Sequence, residues 1–284
     1  MAVSITDYNS QVVPTWCAGC GNFAIHTALK KALSELDIKP NEAFIAFDIG
    51  CNGNGMDKIK VNGFKGLHGR SIPLAIGSHL ANRRMTVLAD IGDGGTLHEG
   101  LDHLIHAVRS NYDITLLIHN NENFALTTGQ ATATTDKGKK MYGLPGGRPE
   151  GEINIGKLVL NENASFFARG YSADPLQLTE IIKAGINHKG CSVIEILQIC
   201  PTYNKEQSPQ WFAQRLEKLE NPLESIEEAR KLLDMSEKIK TGIIYQNQSV
   251  PVFYDRLENR KERDTELVDE VKQYDISKLL DYLD

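Results

Sequence analysis

Met85-Thr-Val-Leu-Ala-Asp90 runs directly into Ile91-Gly92-Asp93-Gly94-Gly95, and the reading of this stretch decides the fold. A short apolar run closed by glycines predicts a buried strand that stops in a tight turn. From Thr96 the period changes, and Leu97, Leu101, Leu104, Ile105 and Val108 fall on one face of a helix. Ile114-Thr-Leu-Leu-Ile118 is the next apolar strand, ending in His119-Asn120-Asn121. Strand, turn, helix and strand make a unit whose two strands lie parallel.

The alternation extends both ways. Upstream, Ile25, Ala28, Leu29, Ala32, Leu33 and Leu36 mark a helix from about Asn22 to Leu36. Ala43 to Asp48 is a strand that ends in Ile49-Gly50-Cys51-Asn52-Gly53. A Gly-rich stretch through Gly55, Gly63 and Gly66 leads to His68-Gly69-Arg70, and Pro73 to Leu80 reads as a helix. Downstream, Asp136 to Gly156 is a long loop, a length that in a compact domain usually serves function. Ser165 to Tyr171 is a strand, Asp174 and Pro175 open a helix reaching about Asn187, and Ser192 to Leu197 is a strand ending at Cys200-Pro201. Helices, a strand candidate at Gly242 to Tyr245 and a polar tail follow.

The predicted fold is therefore α/β, a mainly parallel sheet flanked by helices on both faces. Residues 1–203 form one domain, and residues 204–284 a mostly helical C-terminal extension. Such sheets bind ligands outside the carboxyl ends of their strands. The four clearest strands end at Cys51, Asp93, Asn121 and Cys200, so these residues are expected along one edge.

Composition excludes other classes. In 284 residues, 41% are hydrophobic and 24% charged, enough for a large core. The net charge of −6 argues against a nucleic-acid partner. From Pro201 onward lie 13 basic and 18 acidic residues, so the acidity belongs to the extension. No apolar run approaches the roughly 18 residues of a membrane span, and Met1 to Ser10 lacks an export signal. A cytoplasmic location is expected. The five cysteines are an odd number and a poor disulfide framework. The Cys17-x-x-Cys20 pair alone is open to redox, zinc or iron–sulfur readings.

Residues 95–119 separate Gly94 from Asn120, about the length of one turn, helix and strand, so the two motifs end adjacent strands. The glycines let backbone approach a phosphate, and the helix start offers unpaired N–H groups. Asp93, the Asn121 side chain and the carbonyl of Asn123 supply half an octahedral Mg²⁺ shell, which a diphosphate and water complete. This is the pattern of thiamine diphosphate enzymes.

The chain resembles the β subunit of 2-oxoacid:ferredoxin oxidoreductases. The resemblance is carried by Trp16-Cys-Ala-Gly-Cys-Gly21, Ile49-Gly-Cys-Asn-Gly53, Gly66-Leu-His-Gly-Arg70, Gly92-Asp-Gly94, Asn120-Asn121, Leu126-Thr-Thr-Gly-Gln130 and Cys200-Pro-Thr-Tyr-Asn204. It implies that Cys17, Cys20, Cys51 and Cys200 ligate one [4Fe–4S] cluster, with Cys191 a structural thiol. It implies thiamine diphosphate among Ile49, Gly50, Cys51, Asn52, His68, Gly92, Gly94, Gly95, Ala125 and Leu126, with Mg²⁺ on Asp93, Asn121 and Asn123. His68 is the candidate catalytic residue, in contact with diphosphate or with the reacting substrate.

The activity so implied is oxidative decarboxylation of a 2-oxoacid, of pyruvate or 2-oxoglutarate type, to acyl-coenzyme A and CO₂, or the reverse carboxylation. Electrons pass through the cluster to ferredoxin. Only diphosphate-side motifs are present, so the resemblance also implies an alpha (or fused gamma-alpha) subunit carrying the pyrimidine-binding domain. Where some members carry basic residues, this chain has Thr128 and Asn54, which leaves the substrate carboxylate without those contacts. The rival readings are a non-redox thiamine decarboxylase or carboligase, and an iron–sulfur electron-transfer subunit without thiamine chemistry.

Overall fold

The computed structural model describes residues 2–260, 263–271, 275 and 277. In chain order, α1 (Asn22–Glu35), β1 (Ala43–Phe47), β2 (Asn62–Lys65), α2 (Ser71–Ala81), β3 (Thr86–Gly92), α3 (Leu101–Ser110) and β4 (Thr115–Asn120) follow one another. A small hairpin, β5 (Asn123–Phe124) with β6 (Gln130–Ala131), precedes α4 (Ile155–Asn161), β7 (Phe166–Tyr171), α5 (Pro175–Asn187) and β8 (Ser192–Leu197). The rest is α6 (Pro209–Arg215), β9 (Leu216–Lys218), α7 (Ile226–Met235), β10 (Ile239–Gln246) and α8 (Leu267–Val271).

Eight strands form one sheet in the order β2-β1-β3-β4-β8-β7-β10-β9. From β2 to β7 every pairing is parallel, and β10 joins β7 antiparallel. Alternation along the strands builds two cores. Val87, Ala89 and Ile91 of β3 with Leu116 and Ile118 of β4 face one side, among residues of α2 and α3. Leu88 and Leu117 face the other, against Ile25, Leu29 and Leu33 of α1 and Ile181 and Ile182 of α5. The α/β fold, parallel and covered on both faces, is as the sequence predicts.

Several elements differ. The helix expected from Thr96 begins as a π-type turn, Gly95–Glu99, breaks at Gly100, and becomes regular only at Leu101. β2 lies inside the Gly-rich stretch as a fully exposed edge strand. α4 begins inside the end of the expected loop, capped by the Asn154 side chain accepting from the Lys157 N–H. In the C-terminal extension the strand candidate at Gly242 to Tyr245 is β10, while β9, which also joins the main sheet, was not expected. Part of the polar tail lies outside the described residues. Among the described residues no helix is long and apolar enough to cross a membrane.

Candidate active site

The carboxyl ends of β1, β3 and β4 converge on one pocket. It is lined by Ile49 to Asn52 after β1, Gly92 to Gly95 after β3, and His119, Asn121 and Asn123 to Thr127 after β4, with His68 and Gln198. All of the residues singled out from sequence as cofactor or Mg²⁺ contacts are in that set. The sequence did not single out Phe124, Thr127, His119 or Gln198.

Asp93 is 2% exposed, and its Oδ2 accepts from the hydroxyls of Thr132 and Thr134, each at 2.6 Å. Burial pushes its carboxyl up to about 6, against those hydroxyls and the Gly94 N–H. A buried anion with no cationic side chain bonded to it is costly, and a hard divalent cation is the natural partner for such an oxygen. Beside it, Asn121 donates to Gln198 Oε1 at 3.2 Å, and its Oδ1 accepts from the Asn123 N–H. The donor set suits Mg²⁺. Neither threonine stood out in sequence, because a hydroxyl 39 or 41 residues away from its carboxylate leaves no periodic signal.

The glycines of Gly92-Asp93-Gly94-Gly95 serve the protein's own packing as well as a ligand. A Cβ at Gly94 would lie 2.2 Å from the Phe124 ring, and one at Gly95 would lie 1.8 Å from Asp48 Oδ2. Asp48 cannot yield easily, since its Oδ1 accepts from the Gly69 N–H at 2.7 Å. Gly95→Ala is therefore expected to destabilise the protein by about 1–3 kcal/mol through overpacking, seen as a lowered Tm in thermal unfolding. An unchanged Tm would show that Asp48 moves freely.

His68 stands at the rim, with Nδ1 2.7 Å from Glu99 Oε2. Ala125–Thr127 is a short 3-10 turn that delivers Ala125 and Leu126 to the pocket. It ends with Thr128 at φ 82, a left-handed conformation that a β-branched residue rarely adopts. Gly129 packs on Tyr203, so this segment and the chain after Cys200 hold each other.

A second pocket, of about 180 Å³, is lined by Cys17, Cys20, Cys51 and Cys200 together. The Cys20 N–H donates to the Cys17 carbonyl at 3.0 Å, so one tight turn presents both thiols. The Trp16 indole N–H donates to the Cys51 carbonyl at 2.6 Å, and the Gly21 N–H to Ile199 at 3.0 Å, joining the three segments. All four thiols are free. Burial pushes the Cys51 thiol up to about 12, with Cys20, Cys200 and Cys17 adding to the rise, and burial raises Cys20 as well. Among the described residues no group of three or more His, Cys, Asp or Glu is placed to hold a metal ion. Four thiols spread around a pocket suit a cluster, in which each iron takes a separate thiolate. Cys191 is elsewhere, fully buried in the core at the start of β8.

Comparison with known proteins agrees with this geometry. Residues 48–196 match the thiamine pyrophosphate enzyme C-terminal TPP-binding domain, and residues 200–262 match the C-terminal region of the pyruvate ferredoxin oxidoreductase beta subunit. The chain is 36% identical over 270 residues to 2-oxoacid:ferredoxin oxidoreductase 1, subunit beta, of Aeropyrum pernix, covering 90% of this chain and 85% of that one. It is 36% identical over 188 residues to the 2-oxoglutarate synthase subunit KorB of Methanocaldococcus jannaschii, covering 66% and 70%. Its fold is similar to the 2-oxoglutarate:ferredoxin oxidoreductase of Magnetococcus marinus, solved with 2-oxoglutarate, coenzyme A and succinyl-CoA bound. That match has a TM-score of 0.86 and 26% identity, over 99% of this chain and 96% of that one. With its thiamine pyrophosphate-binding domain and these relatives, the chain belongs to the family of 2-oxoacid:ferredoxin oxidoreductase beta subunits.

Proposed function

We propose that this chain is the diphosphate-binding and electron-exit half of an enzyme that oxidises a 2-oxoacid to acyl-coenzyme A and CO₂, or runs the reverse carboxylation, with ferredoxin as its electron partner. Thiamine diphosphate supplies the electron sink for decarboxylation, and a [4Fe–4S] cluster supplies one-electron transfer. What carries the reading is that the two pockets share a wall. Cys51, Asn121, Ala125, Leu126 and Gln198 line both. Electrons leaving one site have the other as their nearest exit.

In this reading Asp93, the Asn121 side chain and the Asn123 carbonyl hold Mg²⁺, and Cys17, Cys20, Cys51 and Cys200 hold the cluster. Ile49, Gly50, Asn52, Gly94, Gly95, Ala125 and Leu126 surround the cofactor. His68, fixed by Glu99, presents its other ring nitrogen to the diphosphate or the substrate. The remaining cover comes from an alpha-type subunit with the pyrimidine-binding domain. Exposed apolar side chains at the pocket support that docking: Leu126 lines it, and Leu67, next to His68 in the chain, is 77% exposed. The complex is placed in the cytoplasm.

The test is a panel of pyruvate, 2-oxoglutarate and branched 2-oxoacids on the assembled, anaerobically prepared complex, with a viologen dye as acceptor. Dye reduction that requires coenzyme A is expected with at least one of them. Release of CO₂ without dye reduction would favour a non-redox thiamine enzyme. Bound iron without thiamine diphosphate would leave only an electron-transfer subunit.

A further inference from the structure

The long loop from Asp136 to Gly156 lines neither the cofactor pocket nor the cysteine pocket. Its limbs are tied together, the Gly138 N–H donating to the Arg148 carbonyl at 2.8 Å and the Arg148 N–H to the Lys139 carbonyl at 3.0 Å. From that base the Lys139 side chain turns inward and is only 10% exposed. Its Nζ lies 3.0 Å from Glu122 Oε2 and donates to Asn204 Oδ1 at 2.9 Å. Glu122 stands between Asn121 and Asn123, the two residues assigned to Mg²⁺ beside Asp93. Its φ of 59 is a left-handed conformation, and glutamate has neither the freedom of glycine nor the short side chain of asparagine to favour it. The turn is held from outside. The Glu122 carbonyl accepts from the Thr135 hydroxyl at 2.6 Å, and Glu122 Oε1 from the Gln207 amide at 2.6 Å. Asn204 closes the ring, its amide donating to the Asn121 carbonyl at 3.1 Å and to Gln207 Oε1 at 2.9 Å. Inside this clamp Asn121 Oδ1 accepts from the Asn123 N–H, and the Asn123 amide donates to the Asn121 carbonyl.

We propose that the Glu122–Lys139 pair is a positioning device for the metal: by fixing the left-handed turn between Asn121 and Asn123, it sets the affinity for Mg²⁺ and, with it, for thiamine diphosphate. The inference rests on the Mg²⁺ and thiamine diphosphate reading above. Neither residue lines the cofactor pocket, so both act through the turn and not on the substrate. The direction of the effect follows from preorganisation. A turn released from its clamp samples other backbone conformations, the incoming ion must then order it, and affinity falls. The pair is poorly replaced from its surroundings. Asp136 is the other charge acting on Glu122, and it has the same sign. Without Lys139 the carboxylate is therefore both shielded from water and repelled, which drives the side chain, and the turn that carries it, out of place.

The test is titration of Mn²⁺, standing in for Mg²⁺, into the cofactor-free, anaerobically prepared complex with excess thiamine diphosphate. The electron paramagnetic resonance signal of free Mn²⁺ reports the Kd. Lys139→Met should raise that Kd by about 10–100-fold, the usual cost of losing a residue that orients a metal ligand. Turnover at saturating Mn²⁺ and thiamine diphosphate should stay within about twofold of wild type, because only binding is lost. Iron content should not change, since no cysteine has moved. If Lys139→Met does not assemble, with a carboxylate left buried and unpaired, the double variant Glu122→Gln with Lys139→Met carries the test. It leaves no charge unpaired, and its Kd should rise in the same way. A wild-type Kd in the variant that assembles, or a loss of turnover that saturating cofactor does not restore, overturns this proposal alone. A wild-type complex that binds no Mn²⁺ in the presence of thiamine diphosphate overturns it together with the functional reading.

Discussion

Asp93→Asn is expected to yield a complex at least as stable as wild type without cofactor, yet on the order of 10³-fold slower in turnover, since a metal's Lewis-acid and anchoring role is worth several kcal/mol. Both halves come from the same burial. The carboxyl is lifted from 3.8 to about 6 by desolvation. Its folded value lies above its unfolded one, so the group is well tolerated below about pH 4 and costs more as pH rises through about 6. At pH 7 that cost is about 3 kcal/mol, from a shift of about two units at 1.4 kcal/mol each. The amide removes the charge and keeps an acceptor for Thr132 and Thr134. Thermal unfolding of cofactor-free protein at pH 7 should therefore give the variant an equal or higher Tm, and the gap should close in acid. A neutral amide is a poor substitute for an anionic Mg²⁺ ligand, so cofactor affinity and turnover fall together. Wild-type turnover in the variant would remove Asp93 from the anchoring role.

The fold was legible where local chemistry and burial agree. β3, β4 and β8 are apolar runs because both faces of those strands are covered, and α1 and α5 show the helical period because only one face is. Caps were visible too: Asp174 accepts from the Gln177 N–H ahead of α5, as its place before Pro175 predicts. What was hidden is structure set by partners distant in sequence. β2, with all four residues exposed, is a strand only because β1 offers it an edge. β10 adds to β7 across more than sixty residues of chain, and its antiparallel sense has no counterpart in the sequence pattern. The π-type turn at Gly95–Glu99 reads as ordinary helix, since the widened turn depends on Asp48 and Gly69 packing against it.

The site was more legible than the fold around it. Glycines, thiols, carboxylates and amides at strand ends stand out against apolar strands, so the placing of Cys51, Asp93 and Asn121 around one pocket could be read directly. Their convergence followed from the parallel order of β1, β3 and β4. The layer behind them could not be read. Asp48 and Asp90 look like ordinary strand ends, and His119 belongs to no motif, although it lines the pocket and its Nδ1 lies 3.0 Å from Asn22 Oδ1. A buried carboxylate in an apolar strand is the one signal that could have marked Asp48 and Asp90. The residues at 54 and 128, read from sequence as missing substrate contacts, have separate places. Asn54 faces the cysteine pocket, and Thr128 closes the turn that carries Leu126.

Cys200→Ser is expected to separate the two sites. Cys51 lines both pockets, but Cys200 lines only the cysteine pocket, 6% exposed and beside Asn123. A serine hydroxyl stays protonated where a thiolate would bind iron, so the variant complex should lose most of the roughly four irons per chain that the proposed cluster would hold. Coenzyme-A-dependent dye reduction should fall by more than the roughly 10–100-fold that losing a supporting residue costs a metal site. Thiamine diphosphate should still bind, because no residue of its pocket has changed, and CO₂ release from the 2-oxoacid should outlast electron delivery. Cys51→Ser should damage both functions, since the same residue bounds the cofactor. Cys191→Ser is the control: buried at the far edge of the sheet, it should keep its iron and its activity while losing some stability. The ordering of the three variants carries the argument. Iron retained in Cys200→Ser, or lost in Cys191→Ser, would show that the cluster is not held as proposed.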